Sequence, residues 1–583
     1  MAWLVLMAAT PVIFFVIMLV SGERITGEEL GLWVAFALCV TTAFLAVLFI
    51  RWLFCWRNFK RFLFGCACFA TLIALFYAEE DWRGKHDWEK FKREWEAKGE
   101  HFDFKDFIPP PVPDDQNFAM APIWVESIKA TLGPKNSLQW FGDNYAENGR
   151  TNFTDRMALN VWRDNNGSNE PTNGYWAKGT VTDLKAWQAY YRAPAPTNRN
   201  PPITTNEFPI ASQPQTPAQD VLLALSKYDP VIEELRTASQ LPYTRFPLGY
   251  DIEEPDAIFL PHLAKLKQCS QVLQLRAIAE LQNGESEKAA DDVKLSFRLI
   301  NSVRTEPFVI SHLVRVAICE ITLQPIYEGL AKHQWSDAQL AEISDELSPL
   351  DFLADVQFCM RSDRAFMSKE IDFLKRSHSY KQYLWLSGAG NFEEDDTTAK
   401  EFTKKIRAIE FYLMPAGWFD QNKLAIAEFQ QQQSLHIVDP EKHQSFPEIA
   451  NRVNRLQVNW QSTTRNFIAG LFMDSLAASA RKATREQASV DLARGAIALE
   501  RYRLAHGEFP ESLDALAPQF IAQVPHDIFG GQPLHYRRTD DGQFVLYSVG
   551  PNEKDDGGIT GHRNGGSAPD FESGDWVWRY PVR

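Results

Sequence analysis

The sequence contains none of the short signatures that usually announce catalysis. It has no G-x-x-x-x-G-K-[ST] phosphate loop, no H-E-x-x-H pair, no G-x-S-x-G elbow and no G-x-G-x-x-G opening a helix after a strand. Its twelve histidines are scattered without ligand spacing, so a catalytic site would have to converge from distant segments. Cysteine is scarce as well. Cys66-Ala67-Cys68 lacks the two-residue spacer of a redox or zinc motif, and Cys269, Cys319 and Cys359 stand singly, so the seven cysteines offer no disulfide framework. All seven are expected to be buried as small apolar residues. Positive charge is also in deficit, with 60 Lys and Arg against 75 Asp and Glu and a net charge of −15. A nucleic-acid partner is therefore not expected, because phosphate binding needs clustered cations.

What the chain does have is a greasy beginning. Apolar runs cover residues 2–20, 32–52 and 62–77. A membrane-spanning helix needs about 20 apolar residues, and the third run, at the short end, requires snorkelling flanks or a thinned bilayer. Pro11 is expected to kink the first run. That run has no basic start and no A-x-A site after Val20, so a retained helix is expected rather than a cleaved signal. Arg51, Arg57, Lys60 and Arg61 flank the loop between the second and third runs, whereas Glu23, Glu28 and Glu29 outweigh Arg24 between the first and second. The positive-inside rule places the basic loop in the cytoplasm. All that follows Tyr77 is then extracytoplasmic, in the periplasm of a Gram-negative cell, with the anchor in the inner membrane.

The remaining 500 or so of the 583 residues are soluble in character and long enough for several domains. In residues 81–107, Trp88, Phe91 and Trp95 share one helical face. That face either lies in the lipid headgroup layer or packs on the protein's own body. The proline run from Pro109 to Pro113 reads as a stiff spacer. Residues 116–215 are irregular, ordered in part by Trp140, Trp162, Trp176 and Trp187. Helical spacing dominates thereafter. Pro261 opens a helix carrying Leu263, Leu266, Cys269, Leu273 and Ala277, Asn283-Gly284 turns the chain, and Ala289, Val293, Phe297 and Ile300 mark the next face. Further helices are expected over 309–330, with a kink before Pro325, after a capping box at Ser336 and Gln339, over 352–375 and 406–413, and from about Asp420. An acidic loop covers Glu393 to Asp396. The segment from Ala277 to Ala289 resembles the turn of a tetratricopeptide hairpin, but no 34-residue period recurs, which implies stacked helical hairpins and not a counted array.

Two clusters invite a chemical reading. Asp251, Glu253, Glu254 and Asp256 precede the Pro261 helix with His262 nearby. They would suit a metal or acid–base work, or simply sit favourably at a helix N-terminus. Arg361, Asp363, Arg364 and Glu370 share one apolar helix and are expected to form an internal ion network.

The last hundred residues carry the most specific pattern. A helix presenting Val490, Ala493, Ile497 and Tyr502 or Leu504 ends near His506, Gly507 supplies its left-handed cap, and Pro510 stops it from resuming. Leu513 and Leu516 mark a short second helix. Strands are expected over 534–537 and 543–548, joined by Asp540-Asp541-Gly542. A polar loop with Asp555, Asp556, Gly557, Gly558, Asp570 and Asp575 follows Gly550. The order of helix, Gly-Glu-Phe-Pro corner, Asp527-Ile528-Phe529-Gly530 turn and Tyr547-Ser548-Val549-Gly550 strand end resembles the globular head of the major pseudopilins of type II secretion. The resemblance covers residues 488–576. It implies a calcium ion on Asp555, Asp556 and Asp575, with Asp570 as a further ligand, and six to eight hard oxygen ligands would have to be drawn from such a loop. The basic leader, Gly cleavage site and Phe-Thr-Leu-x-Glu start of a pseudopilin do not precede this module, and Asp474 interrupts the partly apolar residues 467–480. Processing and polymerisation as a pilin are therefore not expected. Much of the rest resembles uncharacterised bacterial multi-span membrane proteins.

The expectation is thus a mainly α protein, with three transmembrane helices in residues 1–80, a juxtamembrane helix and spacer in 81–115, an irregular region in 116–215, helical hairpins in 216–480 and a small α+β head in 481–583. Its expected role is that of a membrane-anchored extracytoplasmic scaffold or protein-binding protein, with the lipid bilayer and an envelope protein as partners. A membrane-bound hydrolase built on Asp251, Glu254 and His262, or an accessory component of a type II secretion-like system, are the alternatives.

Overall fold

In the computed structural model, most of the chain after residue 27 is helical. The structure describes residues 27–132, 170–193, 208–250, 260–380, 411–460, 476–562 and 569–581, with short stretches and single positions between them. The first apolar run (Val16 apart), Trp140, the Asp251–Asp256 cluster, the Glu393–Asp396 loop and Asp474 lie outside the described residues. Met1–Arg83 with Pro415–Gly417 form one unit, and Gly84–Met414 with Trp418–Arg583 form another.

The first unit holds helix α1 (Gly27–Leu53) and the start of helix α2 (Trp56–Glu96). Sequence reading separates the third apolar run from a juxtamembrane helix, but α2 runs through both without a break. No proline falls inside it, and side-chain pairs one turn apart bridge the junction: Arg83 meets Glu79 at 3.7 Å and Glu80 at 2.5 Å. Three spans are expected from sequence. Among the described residues two helices are long and apolar enough to cross a membrane, and only one of these, α2, comes from the expected runs. None of its most apolar 18-residue window is buried. Phe64, Phe69, Leu72 and Leu75 are all at least 60% exposed. In α1 the stretch Thr41–Leu53 is apolar but shorter. Cys39, Cys66 and Cys68 on these helices and Cys55 in the turn between them are exposed, contrary to the expectation that all seven are buried, whereas Cys269, Cys319 and Cys359 are buried.

Residues Pro415–Gly417 belong to this same unit. The Gly417 N–H donates to the Asp81 carboxylate at 2.7 Å. A Cβ at Gly417 would lie 2.0 Å from the Glu80 carbonyl oxygen and 2.6 Å from Asp81 Cα, so only glycine admits this approach.

The second unit is built from helices α3 (Pro122–Leu132), α4 (Leu184–Arg192), α5 (Pro217–Leu225), α6 (Asp229–Ser239), α7 (Pro261–Gln282), α8 (Ser286–Ser302), α9 (Val309–Ala331), α10 (Asp337–Leu347), α11 (Phe352–Ser377), α12 (Ala416–Gln432, whose first two residues belong to the first unit), α13 (Pro447–Trp460), α14 (Phe467–Phe472) and α15 (Leu476–His506). The local signals work as read. Pro261 is in the first turn of α7, Gly284 turns the chain with φ +80°, and Ser336 and Gln339 form a reciprocal capping box on α10. α9, with Pro325 inside it, is the other helix apolar enough to span a membrane, but 61% of its window is buried here against α7, α8 and α15.

The aromatic face of α2 packs on the protein and not in a headgroup layer: Trp88 is buried edge-to-face against Phe102 at 5.8 Å, beside Ala427. The Trp-rich region also closes on the core. Trp187 is fully buried, and Trp176 stacks on Trp578 at 5.2 Å. One hydrophobic core runs from Phe104 to Tyr580.

The C-terminal strands β3 (His535–Arg538), β4 (Phe544–Ser548) and β7 (Trp576–Arg579) form an antiparallel sheet in the order β3-β4-β7, while β5 (Thr560–His562) pairs with β6 (Pro569–Gly574). A two-residue hairpin, β1 (Val438–Asp439) with β2 (Gln444–Ser445), precedes α13. β3 and β4 fall within a residue of expectation. The segment expected as a polar loop instead supplies strands, because Val577 and Trp578 pair with Tyr547 and Leu546. Asp570 is therefore a strand residue, and Asp575 sits at the β6–β7 junction.

The Gly417 contact yields a direct check. Gly417→Ala should destabilise the full-length protein by about 1–3 kcal/mol, the usual cost of overpacking, read as a lower melting temperature in detergent.

Candidate functional site

The four acids proposed for calcium are each engaged by hydrogen-bond donors. Asp575 is fully buried; its carboxylate accepts from the N–H of Asp556 at 3.2 Å and of Gly558 at 2.6 Å. Burial raises its pKa even though these N–H groups oppose the shift. Asp555 accepts from the Tyr547 hydroxyl and the Gly557 N–H, both at 2.9 Å, with the His535 ring 3.4 Å away. The Gly557 bond and then the Tyr547 bond lower its pKa. Asp556 accepts from Asn552 at 2.8 Å, and Asp570 from the Ser573 hydroxyl at 2.8 Å. Each of these carboxylates thus has at least one oxygen accepting from an N–H or O–H donor of the protein itself. Among the described residues no three His, Cys, Asp or Glu side chains converge as metal ligands.

The strongest tie in this region is a residue that sequence reading used only as part of a turn. Asp527 is buried, and its carboxylate accepts from the Phe529 N–H at 2.9 Å, the Ser548 hydroxyl at 2.8 Å and the Val549 N–H at 2.8 Å. It fastens the 526–533 loop to the end of β4. The Asp-Ile-Phe-Gly turn was its visible signal.

The helical body contains further buried charge. His262, near the acidic cluster in sequence, is fully buried: its Nε2 is 2.8 Å from Glu306, the Ser311 hydroxyl donates to the same carboxylate at 2.5 Å, and its ring stacks on Phe246 at 4.1 Å. It holds α7 to the turn before α9. Arg361 and Arg364 do not network with Asp363 and Glu370 as expected. They pair instead with Glu100 at 3.1 and 2.8 Å, and the Arg364 guanidinium lies 4.2 Å from the Phe102 ring centroid. Asp363 is pushed up to about 7 by burial, and Glu370 is fully buried. Asp292 on α8 lies between Arg236 of α6 and Arg276 of α7, and Arg276 also reaches Asp229 at 2.8 Å and Glu280 at 3.3 Å. Burial, and then the charge of Asp292, raises Glu280 to about 8. Arg315 of α9 pairs with Asp355 of α11.

Helix α15 gathers the rest. Gln487 accepts from the Phe352 N–H at the start of α11 at 2.8 Å. Asp491 binds His443 of the β1–β2 turn at 2.7 Å, and Glu500 binds His333 at 2.9 Å and Arg503 at 2.7 Å. Glu486 is fully enclosed; burial raises it to about 8, with repulsion from Glu320 adding to the shift. Together these contacts fasten secondary elements to one another. No family model matches the chain, and neither does any curated protein or solved structure.

Two outcomes are expected. In this geometry the loop acids are satisfied without an ion, so millimolar calcium should leave the melting temperature of the full-length protein unchanged. A rise abolished by Asp555→Ala would show instead that the loop rearranges around calcium. For Glu486, between the ordinary value of 4.5 and about 8 the folded chain keeps a proton that the unfolded chain has released. Stability from this group therefore falls as pH rises through that window. Glu486→Gln should flatten the decline by on the order of a few kcal/mol, measured by chemical denaturation at several pH values.

Proposed function

We propose that this chain is a membrane-anchored extracytoplasmic scaffold that binds another envelope protein. The observation that carries the reading is the apolar window of α2, no part of which is buried, although it is rich in Phe and Leu. Bilayer lipid is the solvent such a surface requires. The run at residues 2–20 and helix α1 complete a three-span anchor, and Arg57, Lys60 and Arg61 assign the α1–α2 turn to the cytoplasm. The body then lies outside the cytoplasm, in the periplasm if the cell is Gram-negative. Its packed helices offer extended surfaces of the kind used for protein partners. The C-terminal α15-plus-sheet module is read as a pseudopilin-like head, which makes a component of an envelope assembly a fitting partner.

Topology decides the matter. The protein should stay with membranes after alkaline carbonate extraction, and protease added to intact spheroplasts should digest the body. A body protected in spheroplasts and cleaved only after lysis would reverse the orientation. Release by carbonate would remove the anchor.

A further inference from the structure

The turn between α1 and α2 gathers charge of one sign on an otherwise apolar surface. From Leu30 to Ala78 the chain has no Asp or Glu, and its only charged side chains are Arg51, Arg57, Lys60 and Arg61. All four are exposed, and among the described residues none is paired with a carboxylate. In a chain whose net charge is −15, this is a patch of uncompensated cations.

The turn that carries them is tightly folded. The Phe54 N–H donates to the Ile50 carbonyl at 3.2 Å, the Phe59 N–H to the Cys55 carbonyl at 2.9 Å, and the Asn58 side-chain amide to the Trp52 carbonyl at 3.2 Å. Behind it, Phe49 of α1 meets Phe62 of α2 edge-on at 5.4 Å. The two helices therefore come together here, and Arg51 at the end of α1 joins the three cations in the first two turns of α2. Aromatic rings stand among the charges. Trp56 stacks on Phe59 at 5.8 Å, and the Lys60 ammonium lies 5.3 Å from the Trp56 ring centroid. Phe54 and Trp56 are nonetheless 86% and 68% exposed.

The level of this patch along α2 says what it meets. The helix rises about 27 Å from Arg61 to Glu79, close to the roughly 30 Å of hydrocarbon in a bilayer. With the apolar run in that hydrocarbon, the four cations lie in one headgroup layer and Glu79 in the other. Exposed tryptophan suits the boundary between acyl chains and headgroups. Guanidinium groups at that depth meet lipid phosphate, which they bind through parallel N–H bonds.

We propose that the α1–α2 turn is a binding site for anionic phospholipid, with Arg51, Arg57, Lys60 and Arg61 holding headgroup phosphate and Phe54 and Trp56 seated against the upper acyl carbons. This rests on the reading of α1 and α2 as a membrane anchor. Charge makes the site selective. A zwitterionic headgroup brings its own ammonium against the patch, whereas phosphatidylglycerol brings a net negative charge that no acid of the turn offsets. The anchor thus collects anionic lipid in the leaflet that the turn reaches, the cytoplasmic one in the orientation proposed above.

The test places the photo-crosslinker p-benzoylphenylalanine at Phe54 of the turn or at Leu72 of the span, in the full-length protein. Each variant is reconstituted in vesicles of phosphatidylcholine and phosphatidylglycerol with the same composition in both leaflets, so the direction of insertion does not matter. Lipid adducts are read by mass spectrometry. At Leu72 the two lipids should appear in their bulk ratio, and at Phe54 phosphatidylglycerol should be enriched several-fold over it. Lys60→Gln with Arg61→Gln should bring the ratio at Phe54 back toward bulk. A bulk ratio at Phe54, protein adducts in place of lipid there, or enrichment that survives the double substitution would overturn the proposal and leave the span intact. Loss of enrichment in inorganic phosphate but not in sodium chloride of equal ionic strength would mark a site for the free ion and overturn the lipid reading. Absence of lipid adducts at Leu72 would sink the span reading itself, and this proposal with it.

Discussion

Helix α15 is enclosed along most of its length, and the arrangement of the body follows from that burial. From Leu476 to Glu500 nearly every side chain is buried, on all faces. A helix surrounded in this way needs small side chains so that its neighbours can approach, and it has them in Ala477, Ala480, Ala483, Ala488, Ala493, Ala496 and Ala498. Alanine also gives the best intrinsic helix propensity, so local preference and packing agree. On the sheet side, a Cβ at Gly495 would come within 2.9 Å of Leu546, which shows how close strand β4 sits. The alanines alone would leave the rotation of the helix loosely specified, since one small face resembles another. Its polar residues specify it. Gln487 meets α11, Asp491 the β1–β2 turn, and Glu500 both His333 and Arg503. A slip of one residue turns the helix by about 100° and would strand every one of these groups without a partner, which is costly in a buried site.

The same logic separates two helices that hydropathy alone treats as equals. Both α2 and α9 are long and apolar enough to cross a membrane. In α9 the polar residues Arg315, Gln324 and Glu328 are buried and bonded to other parts of the body: Arg315 to Asp355, Gln324 to the Thr180 carbonyl, Glu328 to the Thr182 N–H. Those bonds make sense only if α9 belongs to a protein interior. In the apolar window of α2, by contrast, no side chain is buried. Average hydropathy counts greasy residues, whereas the few polar ones and their partners tell which solvent surrounds a helix.

Much of the helical framework was legible because its signals are local. Pro261, the Asn283-Gly284 turn, the Ser336–Gln339 box and Gly507 mark ends that depend on residues within one turn of each other. The β3–β4 hairpin was readable for the same reason. What stayed hidden is long-range. Strand β7 exists because it pairs with β4, far back in the chain, and residues 569–579 show little alternation of their own before that pairing is known. Glu100 reaches Arg364 across 264 positions, so the arginine pair was read as belonging to its own helix. The acids of the C-terminal segment were visible as a set, but composition does not reveal whether oxygen atoms face inward to a cation or outward to N–H groups.

That last distinction gives the C-terminal region its physical character. At Gly557 and Gly558 the backbone takes positive φ, at +74° and +78°, and leaves the sheet ladder. The N–H groups so released need acceptors. Asp555 takes the Gly557 N–H and Asp575 the Gly558 N–H, while Asp527 does the same for Phe529 and for Val549, just past the C-terminal end of β4. Carboxylates thus act here as backbone partners where strand pairing ends. They are well suited to it, since one Asp side chain can accept several bonds at once and a charged acceptor strengthens each of them. Part of the chain's excess of acid is therefore structural: it closes the irregular edges of a small sheet whose central strand is packed against the buried helix that organises the whole body.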